Sequence, residues 1–225
     1  MYLKLDQNEI TFIPDDAFDH LAKLQVLLLQ NNPLEHWNSH AFGTHKELKR
    51  FELGGHPHMK SIDGPLLPEE AASSLVDLTI CNMLSLESIS ADALFGMRKL
   101  DSLRICNNPR LTTLPPELTR PARSSLQRVY LYGNAFETLD GASLLPPPSA
   151  ESEFVCDLTG NPWSCTCANS WLVRAVRRSR DNCSAANPQA TTRYRSLPCS
   201  RFFIALRLGF SVFNSRLLNA LSYRV

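Results

Sequence analysis

The feature that most constrains this chain is a spaced apolar repeat ending in asparagine, LxxLxLxxNxL. It reads cleanly at Leu24, Leu27, Leu29, Asn32 and Leu34, at Leu100, Leu103, Ile105, Asn108 and Leu111, and at Leu126, Val129, Leu131, Asn134 and Phe136. Leu3, Leu5, Asn8 and Ile10 open the chain without the leading position, and weaker copies centre on Phe51, Leu78 and Cys156. The first core residue of each copy gives the series Leu3, Leu27, Phe51, Leu78, Leu103, Val129 and Cys156, with steps of 24, 24, 27, 25, 26 and 27 residues. An LxL triplet places two side chains on one face of a short strand and the middle residue on the other. One such strand cannot bury its apolar face alone, but stacked coils pair strand on strand in parallel and share a continuous core. An amphipathic helical protein would instead show spacing near 3.6, which these positions do not follow.

The asparagine column, Asn8, Asn32, Asn108, Asn134 and Asn161, suits a place where the chain turns inward and backbone groups need a side-chain amide. His56 and Met83 interrupt the column, which predicts irregular turns in the third and fourth copies, around the proline-bearing stretch 54–70. Phe18 and Phe42, in the segments after the strands, are placed to close the far side of each coil. With these residues the chain resembles the extracellular type of leucine-rich repeat protein. The resemblance implies an α/β solenoid: a right-handed leucine-rich repeat horseshoe, with a parallel concave sheet of about seven short strands and a disulfide-rich helical C-terminal cap. Residues 1–160 would form the repeats, 161–199 the cap and 200–225 an apolar, basic tail.

Of the seven cysteines, Cys165, Cys167, Cys183 and Cys199 follow directly on Asn161-Pro162-Trp163. The NPWxCxC run, the helix-like segment 171–179 and the two later cysteines resemble the cysteine-rich flank that closes extracellular leucine-rich repeat domains. Such a flank covers the apolar cross-section of the last coil. Spacing alone leaves three pairings open; the resemblance implies Cys165 with Cys183 and Cys167 with Cys199, in an oxidising compartment. A four-thiolate zinc site is the less suitable alternative, because C-x-C lacks the usual two-residue gap. Cys81 and Cys106 fall in one outward column of neighbouring strands, about 4.8 Å apart, so a cross-strand bridge and two free thiols both remain open. Cys156 replaces a core leucine and reads as a buried, unpaired residue.

Charge is nearly balanced, 23 Lys plus Arg against 22 Asp plus Glu, so no global field draws in nucleic acid or an anionic membrane. Recognition must be local. The outward residues of the predicted sheet are where a solenoid binds partners. Arg and Tyr are enriched at binding hot spots, so Arg50, Arg104, Arg128, Tyr130 and Tyr132, with Asp77 beside them, are the candidate contacts for a protein ligand. The plain alternative is a solvated face with no partner. No acid, base or nucleophile set stands at catalytic spacing, so no enzyme and no cofactor is expected. His36, His40, His45, His56 and His58 are the one ligand-like grouping; they lack acidic or Cys partners at metal spacing and read as solvated histidines.

The basic run 174–180, with Arg193 and Arg195, suits an acidic glycan or, more simply, the exposed face of a cap helix, and Asn182-Cys183-Ser184 is a glycosylation sequon. Met1 is followed at once by strand residues, which predicts either a chain incomplete at its start or one that needs a partner there. Residues 200–225 carry four Arg and no acidic residue and are expected to be a poorly ordered tail foreign to the family, with a membrane-lying segment and an extension packed on the cap the rival readings. The functional expectation is a protein-binding module of a receptor, adhesion molecule or matrix protein, extracellular or at the cell surface. The rivals are an intracellular repeat scaffold and, further off, a His-rich metal-binding protein.

Overall fold

The computed structural model describes residues 1–43, 45–140, 155–164 and 166–169. Seven short strands form one parallel sheet: β1 (Tyr2–Lys4), β2 (Val26–Leu28), β3 (Arg50–Gly54), β5 (Asp77–Cys81), β7 (Ser102–Cys106), β8 (Arg128–Tyr130) and β9 (Val155–Asp157), in that spatial order. Two further strands, β4 (Ser61–Ile62) and β6 (Ser88–Ile89), pair in parallel as a second, two-stranded sheet in the returning segments. Among the described residues the returning segments otherwise consist of turns, short 3-10 pieces such as Ser39–Ala41 and Arg120–Ala122, and a single helical turn, α1 (Glu69–Ala72).

Register follows the repeat. Leu3 sits opposite Leu27, Leu27 opposite Phe51, and the series continues through Leu78, Leu103 and Val129 to Cys156. From Leu27 onward this column is almost wholly buried, and so are its companions Leu29, Leu53, Ile80, Ile105, Leu131 and Leu158. Such alternation pins register, because a slip of one residue would expose the whole column. Phe18 and Phe42 meet with ring centroids 5.1 Å apart, and Trp37 lies 5.0 Å from Phe51, so aromatic rings do close the side opposite the sheet in the first coils.

The buried asparagines tie each coil to the one before it. Nδ2 of Asn32, Asn108, Asn134 and Asn161 donates to the carbonyls of Leu5, Ile80, Ile105 and Leu131, at 2.9, 3.2, 2.8 and 2.8 Å. Their Oδ1 atoms accept from the backbone N–H groups of Ile10, Met83, Asn108 and Phe136. Asn169 does the same one turn further on, between Leu139 and Glu137.

The turns at His56 and Met83 keep the pattern of the others, contrary to expectation. Directly before the column, Gln7, Asn31, Gly55, Asn82, Asn107, Gly133 and Gly160 all have positive φ, between 55° and 69°. A left-handed residue is what bends the strand inward, and Asn and Gly adopt it at least cost. At Gly55 and Gly133 a side chain would also collide with the Asn31 or Asn107 amide of the preceding coil. The regularity therefore rests on the αL residue, and the asparagine after it can be replaced.

Candidate functional site

On the outer face of the sheet the residues between the buried ones form three columns. The middle column is Lys4, Leu28, Glu52, Thr79, Arg104, Tyr130 and Asp157. One flank runs through Arg50, Asp77, Ser102 and Arg128, in direct register. The other carries Gly54, Cys81 and Cys106, then Tyr132. With strands about 4.8 Å apart, Asp77, Arg104, Arg128, Tyr130 and Tyr132 come together over β5, β7 and β8, and Arg50 lies beside Asp77 on β3.

The three arginines differ in how they are engaged. Arg50 is hydrogen-bonded and ion-paired to Glu52, two residues on along the same face. Arg128 is held in the same way by Asp101 of the preceding coil. Arg104 stacks over the Tyr130 ring at 5.0 Å, and its Nη1 lies 3.9 Å from the Asp77 carboxylate, beyond hydrogen-bonding distance. Its side chain is 36% exposed. Below it, Ser102 is fully buried and its hydroxyl has no hydrogen-bond partner. The repeat pattern places Glu52 and Ser102 on this face, though not among the candidate contacts, and it missed Asp101. Glu52 was legible from its two-residue spacing to Arg50, whereas Asp101 precedes its strand and only coil stacking brings it to Arg128.

Cys81 and Cys106 are joined by a disulfide, with α-carbons 4.6 Å apart, and this decides between the two alternatives open in the sequence. The bridge crosses β5 and β7 at the edge of the candidate surface and is nearly inaccessible. Cys156 is a buried free thiol. Burial, with the Asp157 charge adding to it, pushes its pKa well up, so it stays protonated and inert. The pairing of Cys165, Cys167, Cys183 and Cys199, the basic run 174–180 and the tail 200–225 lie outside the described residues. Where the cap would begin, Trp163 is buried and donates from Nε1 to the Leu158 carbonyl at 2.8 Å.

Two of the histidines are core residues rather than solvated ones. His45 is fully buried, with Nε2 2.9 Å from the Phe18 carbonyl and its ring edge-on to Phe42. His56 is fully buried as well; Nδ1 donates to the Asn32 carbonyl, so the ring does part of the coil-bridging work of the missing asparagine. Its Nε2 then bears the lone pair and has no partner. Burial lowers its pKa, an effect the hydrogen bond to Asn32 partly offsets. Spacing on the returning segment hid both roles, because the carbonyls they meet lie one coil back. Among the described residues no three or more His, Cys, Asp or Glu side chains gather as a metal-binding group, and no helix is long and apolar enough to cross a membrane.

Residues 1–56 match the family model for the leucine rich repeat, and the seven coils in register extend the same unit to Asp157. The described residues form a leucine-rich repeat solenoid. Over 189 residues, 80% of its length, it is 26% identical to P-granule-associated novel protein 1 of Caenorhabditis elegans, and it spans about a quarter of that relative, 26%. Among solved structures it is similar to human 5T4 (Wnt-activated inhibitory factor 1, trophoblast glycoprotein). There the identity is 22% and the TM-score 0.47, over 80% of this chain and 76% of that one.

Proposed function

We propose that this leucine-rich repeat chain is a non-catalytic interaction module. It engages a protein partner on the outer, concave face of its sheet and works outside the cell or at its surface, within a receptor, adhesion or matrix protein. The observation that carries the reading is the Arg104–Tyr130 contact across the fifth and sixth of seven in-register strands, with Tyr132 beside it and Arg50, Asp77 and Arg128 on the same face. Rigid aromatic and arginine side chains on a continuous sheet face are what partner hot spots are made of. The Cys81–Cys106 bridge supports an oxidising compartment.

Photo-crosslinking tests the face. A photoreactive residue at Tyr132 should give adducts with secreted or cell-surface protein, and one at Phe95, exposed at 47% on a returning segment, should not. Equal adducts from both, or adducts from Phe95 alone, would refute the concave face. An intracellular repeat scaffold is the second reading, favoured by the P-granule association in the name of the curated relative. Thiol counting on the denatured, unreduced chain separates the two. With seven cysteines, three bridges leave one reactive thiol. Seven reactive thiols in protein recovered from its native source would favour the scaffold.

A further inference from the structure

We infer that Arg104 is the docking point for an acidic side chain, Asp or Glu, presented by the partner; this deepens, and rests on, the reading of the sheet face as the binding surface. Arg50 and Arg128 are already ion-paired and hydrogen-bonded to carboxylates of this chain, Glu52 and Asp101. The Arg104 guanidinium makes no hydrogen bond among the described residues; its nearest carboxylate oxygen, on Asp77, is 3.9 Å away. A guanidinium carries five N–H donors in a planar fork that fits a carboxylate bidentately. Here the guanidinium already lies over the Tyr130 ring, with Cζ 5.0 Å from its centroid, and this contact restrains it. A side chain fixed before the encounter loses little entropy on binding.

Two neighbours select the kind of anion. Asp77 lies beside the guanidinium and Asp157 sits in the same column beyond Tyr130. Both repel a dianionic phosphate more than a singly charged carboxylate. When the incoming carboxylate takes Arg104, Asp77 faces a like charge and needs another donor. The hydroxyl of Ser102, in direct register with Asp77 one strand away, is buried with no partner and can supply it. The orphaned hydroxyl and the unsaturated guanidinium thus belong to one site that is completed by the partner's carboxylate.

The test pans a random peptide library displayed on phage against the purified, disulfide-bonded chain. Captured peptides are then compared on wild type, R104Q and Y132E, after their melting temperatures have been shown to match. Selected peptides should share one Asp or Glu position. Changing it to Asn or Gln should weaken binding about tenfold or more on wild type and by little on R104Q, the loss expected for a charge-assisted hydrogen-bonded pair. Peptides bound on this face, and so lost with Y132E, that show no acidic position, that lose equally on R104Q, or that gain from phosphoserine in place of Glu would overturn the docking point and leave the binding face standing. No selected peptide, or peptides indifferent to Y132E, would overturn both. Should R104Q fail to fold, the acid-to-amide exchange on the peptide still decides, since no loss on wild type refutes the inference.

Discussion

Replacing Asn134 by Ala tests whether the asparagine column holds the coils together. Nδ2 of Asn134 donates to Ile105 O at 2.8 Å and Leu131 O at 2.9 Å, and Oδ1 accepts from Asn108 N at 3.1 Å. After truncation Leu131 O keeps the Asn161 amide, so the real losses are the Asn108 N–H and one acceptor on Ile105. Residue 134 is 5% exposed and water cannot readily replace the amide. An orphaned buried polar group costs about 1–3 kcal/mol, so two of them, partly relaxed, should cost about 2–4 kcal/mol. Asn8→Ala is the internal control. Asn8 occupies the same column, and its Nδ2 meets Leu5 O and Asp6 O, but those bonds are exposed; its loss should stay within about 0.5 kcal/mol. Asn134→Asp keeps the shape and the acceptor but removes the donor and buries a charge, so it should lose at least as much as Ala. Urea unfolding monitored by circular dichroism, at constant m-value, gives the three differences. An Asn134→Ala loss no larger than that of Asn8→Ala would refute the view that the column acts through buried hydrogen bonds.

Other outcomes follow from the same coordinates. Leu103→Asp should unfold the neighbouring coils, since it puts an unpaired charge where the side chain is 1% exposed, whereas Arg104→Ala should leave the melting temperature nearly unchanged; equal losses would void the inward and outward assignments. Replacing Cys81 and Cys106 together by Ala should cost about 3–4 kcal/mol in chemical denaturation, the chain-entropy value for a closure spanning 25 residues; no loss would mean the bridge does not form. His56 has a lowered pKa when folded, so its contribution to stability is whole above the ordinary histidine value of about 6.5 and declines as pH falls from there toward the folded value, where the unfolded chain alone binds the proton. That decline should be smaller in His56→Gln, and an unchanged pH profile would contradict it. Cys156 should resist iodoacetamide in the native protein and react on unfolding, as mass spectrometry of the labelled peptide would show.

Pattern reading reached far into this molecule. The column Leu3, Leu27, Phe51, Leu78, Leu103, Val129, Cys156 is both the spacing in the sequence and the register of the sheet. The physical reason is that a coil closes on itself once per repeat, so equal spacing along the chain becomes adjacency across strands. The same logic placed Arg104 beside Tyr130 and Cys81 beside Cys106. It erred at the third and fourth turns, because it credited regularity to the asparagine and overlooked the αL residue before it, Gly55 or Asn82.

The sequence by itself determined the coil, its period, the buried columns and which residues share the outer face, because each of these follows from backbone periodicity. Only the tertiary structure decided how that face is wired. Arg50 and Arg128 are hydrogen-bonded to carboxylates of this chain while the Arg104 guanidinium is not, Ser102 is buried without a partner, Cys81 and Cys106 are joined, and His45 and His56 are buried against carbonyls one coil back. Apart from the local Arg50–Glu52 pair, those outcomes depend on rotamers and burial set by neighbours 24–27 residues away, and such neighbours acquire positions only once the coils have closed.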